Sequence, residues 1–321
     1  MRMDLVTLLQ VVVGNMLIYS TPLILTALGG IFSERSGIVN IGLEGTMVIG
    51  AFASAVFNLA FASQFGSWTP WVALIVAAIA GMLYSSIHAF ATVYLRADHI
   101  ISGTVLNLLA PALTVFLCRL MYNEIGQTEI ITNYFGKTTI PVLSSIPIIG
   151  KIFFTDTFVP AFLAVGLAFV CSVILNKTKF GLRLRSVGEH PQAADTLGIN
   201  VYHMRFAGVL ISGFLAGIGG AIVAQSITLN FSATTIAGQG FIAMAAMIFG
   251  KWNSVSVMLS ALLFGLAQSL GVIGNYIPVI KDIPSVGLTI APYLITIIVL
   301  VGFIGKSEGP AANGKNYVKS K

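Results

Sequence analysis

Ser36-Gly37-Ile38-Val39-Asn40-Ile41-Gly42-Leu43-Glu44-Gly45 stands at the head of a long apolar run, yet it carries three glycines, an amide and a carboxylate. A lipid-facing helix has no use for that mixture. Glycine weakens a helix, and a carboxylate near mid-bilayer costs on the order of 2.5–3.5 kcal/mol on insertion scales. Two readings follow. Gly42 and Gly45 can break a helix and expose backbone to a polar path, with Asn40 and Glu44 lining it. Alternatively the glycines let helices pack closely, and Glu44 bonds to a neighbouring helix.

The surroundings decide the class. Of 321 residues, 56% are hydrophobic and only 9% are charged, and the mean hydropathy is +0.93. A soluble domain carries about 25% charged residues. The chain therefore reads as an all-α, polytopic transmembrane bundle. Apolar runs long enough to span occur at 5–28, 37–62, 71–95, 100–122, 157–175, 204–226, 255–275 and 287–304. The stretch 238–250 is apolar but too short to cross a core of about 30 Å at 1.5 Å per residue. It reads as a half-helix. Between 8 and 10 membrane segments are expected, some broken, in one membrane domain over 1–305 with a polar tail at 306–321.

With 238–250 counted as a crossing, twelve Lys and Arg fall on the side of the 176–203 loop and five on the other. The positive-inside bias puts that loop and the C-terminus inside and the N-terminus outside. The net charge of +6 is explained by those loops, and nucleic acid is not a partner. The N-terminal run reads as the first membrane helix, since no small-x-small cleavage site follows it. Cys118 and Cys171 fall in apolar segments without metal-ligand spacing and read as buried free thiols. The tail, with Gly309, Pro310 and Gly314, reads as disordered. The outer loop 123–156 carries an apolar patch at 146–149 that suits the membrane surface.

Two further stretches stand out. Ala237-Gly238-Gln239-Gly240-Phe241-Ile242-Ala243-Met244 opens the half-helix. Gln239 and Phe241 suit a polar, flat solute, or else a cap and an interfacial aromatic. Together with 37–50 it makes a weak internal echo, a glycine-bounded interrupted segment in each half, as in inverted-repeat transporters. The 176–203 loop contains a short helix over 189–197, with Pro191 in its first turn and Gly198 as its stop. Small-faced and held between two membrane helices, it suits docking to another protein. Gly213-x-x-x-Gly217-x-x-x-Ala221 reads as a packing face, and Asn15, Asn107, Gln225 and Gln268 as inter-helix hydrogen bonders. There is no Walker A loop, no His-Glu-x-x-His, no Gly-x-Ser-x-Gly elbow and no paired-carboxylate motif. His88 reads as a packing residue. Nothing supports catalysis, and Glu44 stands almost alone as an ionisable group for a stand-alone ion-coupled transporter.

The three stretches together resemble the membrane permease subunit of ABC importers, in the family that takes up ribose-type sugars, branched-chain amino acids and nucleosides. Gln192-Ala193-Ala194-x-x-x-Gly198 is similar to the Glu-Ala-Ala-x-x-x-Gly signature of importer permeases, with glutamine for glutamate. Residues 37–45 resemble the family's Gly-Ile-Asp-Leu-Ser-Val-Gly pore stretch, in a variant with Asn40 for Asp that is similar to the nucleoside-type branch. Residues 240–250 resemble the second pore stretch, with Ile242 and Ala243 where an acid is usual. The resemblance covers residues 5–305.

It implies a permease for nucleosides in a bacterial cytoplasmic membrane. Simple sugars or branched-chain amino acids are the alternative solutes. The implied partners are a second, different permease chain, cytoplasmic ABC ATPase subunits and an extracellular or periplasmic substrate-binding protein. ATP and Mg²⁺ would be held by the ATPase, and no cofactor or metal by this chain. On this reading Asn40, Gly42, Glu44, Gly45, Asn107, Gln239, Phe241 and Met244 line the path. Arg183, Glu189, Pro191, Ala193, Ala194 and Gly198 form the coupling element.

Overall fold

The computed structural model describes residues 5–122, 126–274 and 309–319, with four isolated helical positions at 287, 290, 294 and 297. The expected span 287–304 otherwise lies outside the described residues. In chain order the helices are α1 (Leu5–Arg35), α2 (Leu43–Phe65), α3 (Thr69–Ala89), α4 (His99–Met121), α5 (Pro141–Ser144), α6 (Ile149–Phe153), α7 (Val159–Lys177), α8 (Lys179–Glu189), α9 (Pro191–Thr196), α10 (Val201–Val223), α11 (Gln239–Phe249) and α12 (Ser254–Ile273). Six continuous apolar helical stretches among them are long enough to cross a membrane, and one of these, Leu43–Tyr94, holds both α2 and α3. The protein is a polytopic helical bundle. α11, at 11 residues, is the half-helix expected from its length.

Two boundaries differ from the sequence reading. α1 does not stop at residue 28 but runs to Arg35. Its Gly29 and Gly30 are contact points, not terminators. A Cβ at Gly29 would stand 2.7 Å from the Ser212 carbonyl oxygen, and one at Gly30 would stand 2.8 Å from the Met247 sulfur. The second span begins as helix only at Leu43, because residues 36–42 are non-helical chain.

The centre of the bundle is a backbone-to-backbone crossing of α2, α3 and α10. A Cβ at Gly50 would run into the Gly217 carbonyl, one at Gly81 into the Gly213 carbonyl, and one at Gly217 into the Ala77 carbonyl. Gly220 meets the Met47 carbonyl in the same way. The Gly213/Gly217/Ala221 stripe is thus a packing face, as its spacing implies. Cys118 and Cys171 are free and buried.

Four helices, α4, α8, α10 and α12, are capped from nearby sequence. Asp98 accepts from Ile100 and Ile101 N–H at the start of α4, and Asn200 accepts from His203 N–H at the start of α10. Asn253 does the same for α12, and Thr178 for α8. α8, amphipathic and unforeseen as a helix, is followed by α9, which starts at Pro191. The chain after α9 turns at Gly198, whose φ of +80° favours glycine.

The expected disorder of the tail is not what the structure has. Residues 309–319 run across the end of the bundle that carries α8 and α9, with Ala312 and Tyr317 buried. Polar composition misleads here because the segment is held by amides and backbone groups as well as by Tyr317, which packs with Val187, Ala194 and Val201.

Gly217→Val pushes two branched carbons into the Ala77 backbone and is expected to destabilise the fold by about 1–3 kcal/mol or more. Gly166→Ala, in α7 with nothing within 4 Å of the new Cβ, is expected to be neutral or stabilising by up to ~1 kcal/mol. Thermal unfolding of the two variants in detergent separates these outcomes.

Candidate functional site

The opening stretch is a turn and a helix start. Gly37, at φ +93°, ends α1, and its missing Cβ leaves room for the Arg205 guanidinium, whose Nη2 would otherwise lie 2.8 Å away. Ile38 N–H bonds back to the Ser33 carbonyl at 3.2 Å. The Val39 peptide is held on both sides by histidines. Val39 N–H donates to His99 Nδ1 at 3.3 Å, and His88 Nε2 meets the Val39 carbonyl at 3.0 Å. His88 Nδ1 in turn meets the Ser102 hydroxyl at 2.9 Å. These partners put a proton on His88 Nε2 and leave His99 Nδ1 without one, inferred from the network. Asn40 is 2% exposed and donates to Ser212 Oγ on α10 at 3.0 Å.

α2 and α11 start inside the bundle, and neither has a side-chain cap of its own at Gly42 or Gly238. Their caps come from remote sequence. For α2, Asn107 of α4 accepts from Gly45 N–H at 2.8 Å and donates to the Ile41 carbonyl at 2.9 Å. For α11, both oxygens of Glu44 serve. Oε1 accepts from Gly238 N–H and Oε2 from Gly240 N–H, each at 2.7 Å. A carboxylate satisfies that pair in full, and a protonated acid does so less well. Gly240 must be glycine for this approach, since a Cβ would stand 2.6 Å from the Glu44 backbone nitrogen.

Glu44 also lies in the first turn of α2, so two positive helix ends converge on one carboxylate. Each charge-assisted bond is worth about 1.5–3 kcal/mol, enough together to offset the insertion cost of the acid. α11 ends beside Glu34 and Arg35, where Trp252 Nε1 donates to Glu34 Oε2 at 2.7 Å. It therefore runs toward the α8–α9 end while α2 runs away from it. One residue past Gly238, Gln239 pairs with Gln268 of α12 through two amide bonds of 3.3 and 3.2 Å. Phe241 is 47% exposed, and Met244 packs half-buried on the core around Leu43 and Met47.

The path candidates divide accordingly. Asn107 bonds Gly45 beside Gly42 at the start of α2, Glu44 bonds the glycines on either side of Gln239 at the start of α11, and Asn40 instead bonds Ser212 of α10. Ser212, which holds Asn40, His99, which holds Val39, and the Gly238 and Gly240 amides, which meet Glu44, carry no local signal that sequence reasoning detects. Gln268 and Asn107 bond between helices, as does Gln225, which accepts from Asn58 at 2.7 Å. Asn15 instead bonds within α1, to the Val11 carbonyl.

The coupling candidates also divide. Pro191 and Ala194 are buried, while Arg183, Ala193 and Gly198 are exposed. Leu197 is 82% and Leu182 is 63% exposed, so the outer surface of α8–α9 offers apolar side chains. Glu189 pairs with Arg35 at 3.8 Å and accepts from Ala311 N–H at 3.1 Å. Among the described residues there is no cluster of three or more His, Cys, Asp or Glu able to hold a metal.

Residues 12–304 match the family described as the branched-chain amino acid transport system / permease component. The chain belongs to this permease family. A nucleoside ABC transporter permease protein of Lactococcus lactis is 63% identical to the permease over 319 residues, covering 99% of this chain and 100% of that protein. A guanosine ABC transporter permease protein of Bacillus subtilis is 54% identical over 319 residues, with the same 99% and 100% coverage. A second Lactococcus lactis nucleoside ABC transporter permease protein is 26% identical over 277 residues, 80% of this chain and 71% of that protein.

Glu44→Gln places an NH₂ against one of the two α11 N–H groups, and an unsatisfied buried donor costs about 1–3 kcal/mol. Asn107→Leu removes both bonds to the opening stretch and is expected to cost about as much. Asn107→Asp keeps the acceptor for Gly45 and loses less. Unfolding midpoints of the three permease variants in detergent check this order.

Proposed function

We propose that this permease forms the membrane path of an ABC importer for nucleosides, with guanosine among its solutes. The observation that carries the reading is similarity along almost the whole chain to permeases named for nucleosides and for guanosine. The site's chemistry supports it. The junction is built of amides, glycine backbone and one carboxylate that bond one another, with the exposed Phe241 nearby. Such groups suit a weakly held, flat, polar solute better than an ion that needs charged ligands.

In this proposal Glu44, Gln239, Phe241 and Met244 line the path, and Asn40, Gly42, Gly45 and Asn107 hold its walls. The α8–α9 end faces the cytoplasm, as the basic residues imply, and the N-terminus lies outside. A cytoplasmic ATPase docks on the outward face of α9 and supplies ATP and Mg²⁺ chemistry that this chain lacks. A substrate-binding protein delivers nucleoside from outside. The second permease chain is a different one, a view supported by the two dissimilar nucleoside permeases of Lactococcus lactis. The buried Ala194 and Pro191 set the placement of α9, whereas Ala193, Gly198 and Arg183 offer contact to the ATPase.

Uptake of labelled guanosine, ribose and leucine by cells with and without this chain tests the solute. Loss of guanosine uptake alone is expected. No effect on any solute overturns the reading. Ala193→Arg, on the exposed face of α9, is expected to abolish ATPase co-purification with the unfolding midpoint unchanged. Ala194→Arg, whose position is 2% exposed, is expected to lower the midpoint as well.

A further inference from the structure

The segment 309–319 touches both the proposed coupling helix and the opening stretch. On one side Ala311 N–H donates to Glu189 and Ala312 N–H to the Gly188 carbonyl at 2.9 Å. Lys319 pairs with Asp195 of α9 at 3.9 Å, and Tyr317 packs edge-on against Tyr202 at 5.5 Å. On the other side Gly314 N–H donates to the Gly37 carbonyl at 3.1 Å, and Asn313 donates to Glu34 at 3.1 Å. Arg205, 2% exposed, donates to the Lys315 carbonyl at 2.9 Å. A buried guanidinium without acceptors is costly, so this bond favours keeping the segment in place.

Asn316 is the centre of the arrangement. Its Nδ2 donates to the Arg96 carbonyl at 2.7 Å, which fixes the amide's orientation. Its Oδ1 faces His99 Nε2 at 3.2 Å and so requires the proton there. That leaves His99 Nδ1 free of a proton to accept Val39 N–H. One amide thereby sets the tautomer of the ring that holds the opening stretch.

We propose that residues 309–319 are a strap that ties α9 to the 37–39 turn, and that Asn316 is a positioning residue acting on Val39 through His99. Motion of α9 reaches the pore stretch through α10, whose Arg205 lies beside Gly37 and whose Ser212 bonds Asn40, and through two further routes. One is the direct contact of α8 with α1, where a Cβ at Gly188 would run into the Arg35 carbonyl. The other is the strap, which alone reaches Val39. The transport consequence rests on the importer reading above; the positioning consequence does not.

The test has two arms. In the first, Ile38→Cys, at a position with no exposed surface, is probed with a water-soluble maleimide in the full chain. The cysteine is expected to be shielded alone and labelled faster when combined with Asn316→Ala, with Asn316→Gln restoring part of the shielding. Equal labelling with and without the Asn316→Ala substitution overturns the strap. In the second arm, the assembled importer is compared with its Asn316→Ala variant. Basal ATP hydrolysis is expected to persist, while stimulation by nucleoside-loaded binding protein falls about 2- to 30-fold, the range of measured coupling effects. Unchanged stimulation overturns transmission through the strap. Loss of assembly with Asn316→Ala overturns it as well, by assigning the residue to folding. If the wild-type complex moves no nucleoside, the importer reading falls and the labelling arm still decides the strap.

Discussion

One carboxylate lets this fold begin two helices inside the bundle. An α-helix leaves its first four N–H groups without intrahelical partners. In a membrane each such group costs several kcal/mol unless the protein satisfies it. α2 and α11 both start inside the bundle, and Glu44 sits in the first turn of one while accepting two N–H bonds from the start of the other. Asn107 completes the cap of α2. Remove that exchange and neither the break at 36–42 nor the short α11 has a reason to be stable. The close approach of Gly240 to Glu44 and of Gly45 to Asn107 follows from the same requirement, since caps from remote sequence need backbones in contact.

What could be read ahead of the structure was what local chemistry encodes. Pro191 and Gly198 bracket α9 because proline suits a first turn and glycine a left-handed stop. The shortness of α11 was legible from its length, whereas the span expected from residue 37 begins as helix only at Leu43. The partner of Glu44 was not, because Gly238 and Gly240 lie far away along the chain and offer only backbone. For the same reason Asn40, a path candidate by type, turns out to bond Ser212. The first span runs on past residue 28 to Arg35, because Gly29 and Gly30 admit neighbours there and do not end the helix. The tail misled most. Much of its hold comes from Asn313, Asn316 and peptide groups, the residue types that also mark disordered chain.

The two ends of the site are built differently, and the difference suits separate tasks. The α8–α9 end is held by half-exposed ion pairs such as Arg35–Glu189 and Lys319–Asp195, each worth about 0–1 kcal/mol. These contacts can be exchanged at little cost when a partner presses on them. The Glu44 junction is held by charge-assisted bonds of 2.7 Å and resists such exchange.

The glycine crossing of α2, α3 and α10 has a mechanical consequence. Where Gly50, Gly81, Gly213 and Gly217 bring backbones together, there are no side chains to change rotamer and absorb a shift. Sliding one helix along another would drive neighbouring side chains into that contact, whereas tilting about it would not. The crossing is therefore a fulcrum: whatever force arrives at one end of these helices leaves at the other as rotation, with its direction reversed.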